Sequence, residues 1–123
     1  MTEKKHALEF RAGPGAYDEI RSRGLSLASV GTILGASGGP KWLVLSQLDR
    51  VLAQRVLPAL RAPVHLLGSS IGAWRFACYG QADPVAAIAR FEDAYIRQTY
   101  SASPDVAEIT AKSREILCTI LGA

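Results

Sequence analysis

The chain has 123 residues, 49% of them hydrophobic and 20% charged, with 14 Lys+Arg against 11 Asp+Glu for a net charge of +3. That balance excludes a disordered chain, and the length admits one domain at most. The basic residues are scattered without a run of five, so nucleic acid is not an expected partner. Cys78 and Cys118 form no C-x-x-C and join no His/Cys cluster. Neither a metal site nor a disulfide framework is therefore expected, and the composition fits a reducing, cytoplasmic compartment.

In chain order, Ala7 to Arg11 reads as a short strand and Gly13-Pro14-Gly15 as a turn. A polar helix is predicted over Ala16 to Arg23, closed by Gly24. The apolar run Leu25 to Leu34 has the length of a signal-peptide core, but Asp18, Glu19, Arg21 and Arg23 stand just before it. It reads instead as a buried strand, centred on Val30 to Leu34 and lacking alternation, as parallel strands do.

A small-residue loop, Gly35-Ala36-Ser37-Gly38-Gly39-Pro40, follows. Apolar residues at three- and four-residue spacing predict a helix over Trp42 to Leu57, which Pro58 should stop. A second apolar strand, Val64 to Leu67, runs into Gly68-Ser69-Ser70-Ile71-Gly72, and a helix should extend from Ile71 to Tyr79. Asp83-Pro84 and Ser103-Pro104 each signal a helix start. The first of these helices should reach about Tyr100, and the second carries Ile109, Ile116, Leu117, Ile120 and Leu121 on one face. Strand, glycine loop, helix, strand, turn and helix make a βαβ unit with the strands of Ile33 and Leu66 parallel and adjacent. No later strand is available for the last helix to bury against. The expected class is three-layer α/β with a parallel central sheet, residues 1–123 being the N-terminal part of a single domain.

The chemistry-bearing signal is G-x-S-x-G at Gly68 to Gly72, placed between strand and helix. A serine on so sharp a turn sits in strained backbone, and Gly68 and Gly72 leave room for the chain to fold back. The turn sets Ser70 at a helix N-terminus, where the dipole favours an oxyanion. The plain alternative is a glycine-rich turn with a serine cap. One strand upstream, Ser37, Gly38 and Gly39 are placed to aim backbone N–H groups at a developing oxyanion, with Pro40 fixing the exit of the loop. Lys41 falls in a first helical turn, unfavourable for a cation, and reads equally as a loop holder and as a solvated side chain. A Ser-His-Asp triad on an α/β-hydrolase sheet needs a histidine after the serine, but His6 and His65 both precede it. His65 lies roughly 16 Å away at strand rise. A Ser–Asp pair remains.

Gly35-Ala36-Ser37-Gly38-Gly39-Pro40-Lys41 followed by Gly68-Ser69-Ser70-Ile71-Gly72-Ala73 resembles the patatin-like phospholipases. That resemblance spans Val30 to Phe76. It implies a lipid acyl hydrolase with a Ser–Asp dyad, no metal and no cofactor, Ser70 as nucleophile, and Gly38 and Gly39 with Ser37 as oxyanion donors. It also implies a lipid ester substrate and peripheral membrane contact. Trp42 stands where the family usually has glycine. The family's D-G-[AG] aspartate has no counterpart, since this chain contains no Asp-Gly dipeptide.

Asp18, Asp49, Asp83, Asp93 and Asp105 read as solvated or helix-capping residues, which leaves the dyad incomplete. The chain alone is then expected to have little or no esterase activity and to be prone to self-association. Trp42, Trp74, Phe76 and Tyr79 gather near the two loops and read as core more than as an acyl pocket. Two alternatives remain at this level. One is a Rossmann-type dinucleotide-binding unit, with Gly35 and Gly38 as its first glycines but Lys41 in place of the third and no acid ending the second strand. The other is a non-catalytic, truncated remnant.

Overall fold

The computed structural model describes residues 9–61 and 63–122. In chain order it contains helix α1 (Pro14–Arg23), a 3₁₀ turn (Leu27–Ser29), strand β1 (Thr32–Gly35), a crossover helix whose middle is α2 (Ser46–Val51), and strand β2 (His65–Gly68). Helices α3 (Ile71–Tyr79), α4 (Pro84–Arg97) and α5 (Val106–Leu121) complete it. The strands pair in parallel, with Ile33 opposite Leu66 and Gly35 opposite Gly68, as the strand–helix–strand order predicts. The architecture is mixed helix and strand around this small sheet.

Several elements differ from expectation for identifiable reasons. Gly13 and Pro14 open α1 instead of forming a turn, because the fixed φ of proline suits a first helical position. Of the expected strand Ala7 to Arg11, Ala7 and Leu8 lie outside the described residues, and Glu9 to Arg11 take no regular structure. The run Leu25 to Leu34 is not one strand. Ser26 Oγ accepts the Ala28 N–H at 3.3 Å, and this local bond closes a 3₁₀ turn before β1 can begin. The predicted crossover helix is present but changes gauge along its length: 3₁₀ over Gly39–Leu45, α over Ser46–Val51, π over Leu52–Val56 and 3₁₀ over Leu57–Ala59. Pro58 cannot donate, and its ring crowds the carbonyl of Gln54, which lies inside the widened π segment.

Helix α3 covers one face of the sheet, and the crossover and α4 pack beside it. The core is Trp42, Ile71, Phe76, Cys78, Tyr79, Ala87, Ile88, Phe91, Ile116 and Ile120 with Ala53. Side chains alternate along a strand, so Leu34 and Leu67 share the opposite face. They are 73% and 64% exposed, so the expectation of buried strands is corrected. The expectation that the last helix has nothing to bury against is corrected in part, since Ile109, Leu117 and Leu121 of its apolar face stay exposed while two others are buried. Ile116 and Ile120 are buried against α4, and Arg90 of α4 donates to the carbonyls of Thr119 and Ile120, both at 2.8 Å. Asp83 caps α4 through the Ala86 N–H at 3.0 Å. Asp105, not Ser103, caps α5 through the Glu108 N–H at 2.7 Å. Among the described residues no helix is long and apolar enough to cross a membrane.

Candidate active site

β2 delivers the chain to Ser70, whose backbone takes φ 52° and ψ −124° before α3 begins. Ser70 is the one non-glycine residue with positive φ among the described residues. A conformation of that kind costs about 1–3 kcal/mol and persists only where the surroundings over-determine it. Here two glycines do so. A Cβ on Gly68 would lie 2.5 Å from the Ala73 nitrogen, and one on Gly72 would lie 2.1 Å from the Gly35 carbonyl oxygen. The turn is closed by the Gly72 N–H donating to the Ser69 carbonyl at 3.0 Å and the Ala73 N–H to the Ser70 carbonyl at 2.9 Å. The Ser70 hydroxyl makes no capping bond to α3, so the turn leaves it exposed and uncommitted.

The glycine loop is attached directly to this turn. The Ser69 N–H donates to the Gly35 carbonyl at 2.9 Å, which pins the serine turn to the end of β1 where the loop starts. Gly39 takes φ 53°, a left-handed value that only glycine adopts cheaply, whereas Gly38 is extended. Trp42 anchors the exit of the loop. It is 2% exposed and stacks on Phe91 with ring centroids 4.5 Å apart. The Trp42 indole therefore fastens the loop to the core. The backbone N–H groups of Gly38, Gly39 and Ile71 make no hydrogen bond among the described residues. Sequence reasoning passed over Ile71, although the residue after a G-x-S-x-G serine is a standard oxyanion donor position.

A cavity of about 200 Å³ opens beside Ser70. Gly39 and Ser70 form one border, and Trp74, Phe91, Tyr95 and Ile116 form the walls. Of the loop residues singled out, Gly39 reaches the cavity, while Ser37 and Gly38 are outside its lining. The aromatic cluster divides accordingly: Trp42, Phe76 and Tyr79 are core, and Trp74 is half-buried on the cavity wall. Burial raises the Tyr95 phenol above its usual range, and nearby Tyr100 adds to the effect, so Tyr95 remains a neutral donor. Among the described residues no carboxylate and no imidazole lines the cavity. His65 is exposed on β2.

One polar cluster was not legible in the sequence. Asp49, read as solvated or capping, is 1% exposed and accepts from Arg75 Nε at 2.8 Å, Arg75 Nη2 at 2.5 Å and Tyr79 Oη at 2.6 Å. The bond to Asp49 holds the Arg75 guanidinium above its ordinary value. Burial first, and the Asp49 bond second, push the Tyr79 phenol up. Burial also drives the Cys78 thiol to about 12, so it stays a thiol. Arg75 and Tyr79 sit five and nine residues beyond Ser70, about 7.5 and 13.5 Å along a helix axis. Asp49 therefore clamps α2 to α3 rather than facing the serine. A second clamp joins the crossover to α4, where Glu92 accepts from Ser46 Oγ at 2.9 Å and from Arg50.

No protein-family model, no curated protein and no solved structure matches this chain. Among the described residues no group of three His, Cys, Asp or Glu side chains converges as a metal site would require.

Proposed function

We propose that the chain carries the nucleophile and oxyanion elements of a serine acyl hydrolase of the patatin-like kind, acting on lipid esters. The observation that carries this reading is the backbone of Ser70. Strain at a non-glycine residue, hemmed by two glycines that admit no Cβ, with a hydroxyl that caps nothing, suits a nucleophile and has no use in a plain turn. The loop tied to the same turn, its unengaged N–H groups and the adjoining cavity support it. The three-layer patatin-like fold belongs to the same reading, with the exposed Leu34 and Leu67 face as the place for its second helical layer.

In this mechanism Ser70 Oγ attacks the ester carbonyl carbon, and the carbonyl electron pair moves onto oxygen. The N–H groups of Ile71 and Gly39 stabilise that oxyanion. Collapse expels the alcohol, which takes the proton that left Ser70, and water then releases the acid and restores the hydroxyl. The dyad carboxylate comes from residues other than those lining the cavity. Without it the serine stays protonated, and the oxyanion loop alone leaves an acceleration of roughly 10³–10⁴ over water.

A fluorophosphonate probe distinguishes the readings. In a protein that also supplies the dyad carboxylate, wild type should be labelled and Ser70→Ala spared. Equal labelling of the two would remove Ser70 as the nucleophile.

A further inference from the structure

We propose that the cavity beside Ser70 is an acyl subsite restricted to short, uncharged chains of about eight carbons or fewer. The proposal takes the identity of the carbonyl end from the hydrolase reading, while its test needs no turnover.

Three observations carry it. The first is size. A volume of about 200 Å³ is below the 300–1,000 Å³ typical of drug-sized ligand sites. At about 30 Å³ per small group, as in a liquid, it holds on the order of six to eight carbon-sized units. A long lipid chain would leave most of its methylenes in water.

The second is the depth profile. Phe91, Ile71 and Ile116 are 1%, 6% and 7% exposed and form the floor, and Trp74 and Tyr95 form half-buried walls. The Phe91 ring stacks with two indoles, 4.5 Å from Trp42 and 6.0 Å from Trp74, both at 11° to it. The buried part of the lining is thus aromatic and aliphatic, with Phe91 backed by Trp42 of the core. α5 supplies Ile116 to it.

The third is chemistry. Among the described residues every one lining the cavity is uncharged. The polar ones are hydroxyls and an amide, with Tyr100 and Gln98 towards the exposed side. An ionised group driven onto the floor would find no counter-charge, so a carboxylate-ended chain is refused.

The test uses the N-methyl amides of butanoic, hexanoic, octanoic and dodecanoic acids, titrated against the full chain and followed by tryptophan fluorescence. Affinity should climb about fourfold per methylene while methylenes are buried, to about eight carbons. Dodecanoic amide should gain less than about threefold over octanoic. The mono-N-methylamide of octanedioic acid should bind at least about tenfold more weakly than octanoic amide.

Ser113 on α5 lines the cavity, and its hydroxyl bonds only to the Ile109 carbonyl of its own helix, at 2.8 Å. Ser113→Phe should therefore fill the cavity without loosening the fold, weakening octanoic amide at least about tenfold and moving the plateau to shorter chains. Thr110→Ala, whose hydroxyl bonds within α5 to the Val106 carbonyl and which lies outside the lining, should leave the series unchanged. Affinity that rises through twelve carbons, ignores chain length, is absent throughout or survives Ser113→Phe overturns the proposal. A plateau at eight carbons together with equal fluorophosphonate labelling of wild type and Ser70→Ala would keep the subsite and remove the hydrolase reading.

Discussion

Gly35 and Gly72 meet backbone to backbone, so closely that a Cβ on Gly72 would fall 2.1 Å from the Gly35 carbonyl oxygen. Contact at that range fixes how far α3 stands from β1. It also fixes where Ser70, two residues before Gly72, emerges. Gly72→Ala should therefore destabilise the chain by about 1–3 kcal/mol, since one methyl must push the helix off the strand. Urea denaturation followed by circular dichroism measures it. Gly15→Ala, with nothing within 4 Å of the added Cβ, is the control. Equal stability of the two variants would contradict the close approach.

Ser70 should behave as a strained residue. Ser70→Gly relieves its φ of 52°, whereas Ser70→Ala keeps the strain and removes only the hydroxyl. The glycine variant should be more stable than the alanine variant by about 1 kcal/mol, the difference between backbone relief and the extra chain entropy of glycine. Thermal melting of the pair reads the sign directly. If alanine proves the more stable, the turn is not strained.

The Asp49 clamp should show the signature of a buried charge pair. Asp49→Ala strands Arg75, which is 13% exposed, and should cost about 2–4 kcal/mol. The double replacement Asp49→Leu with Arg75→Met removes both charges and should recover more than half of that loss. Additive losses in the double variant would mean that the two side chains act independently.

Acid should loosen the contact between the crossover and α4. The Arg50 hydrogen bond, followed by that of Ser46, holds the Glu92 carboxyl below its ordinary value of 4.5, against a desolvation that works the other way. A carboxyl depressed in the folded state contributes stability that is fully present above its unfolded pKa and is lost as pH falls through the folded value. Melting temperature should thus fall as pH drops below about 4.5, and Glu92→Gln should show a shallower fall at a lower plateau. Parallel curves for the two proteins would exclude Glu92 as a source of acid sensitivity.

The local signals were legible in the sequence because they are local physics. G-x-S-x-G between an apolar run and an amphipathic one announces a tight turn, since only glycines clear the backbone on either side of the serine. Asp83 and Asp105 sit before apolar-periodic segments and cap them as short acidic side chains do. The parallel pairing of Ile33 with Leu66 follows from a helix-length crossover between two apolar strands.

What only the tertiary structure decided depends on partners distant in the chain. Asp49 looks like a surface residue on its own helix, and it is buried because Arg75 and Tyr79, 26 and 30 residues away, converge on it. Trp42 and Trp74 are alike as letters, yet Phe91 stacks against both and leaves one as core and the other as cavity wall. The apolar strands read as buried, but burial belongs to whatever packs on a face, and the Leu34 and Leu67 face is exposed. Periodicity reports which residues share a side. It carries no information about which element comes to lie against that side, because that is set by contacts whose sequence separation no local pattern encodes.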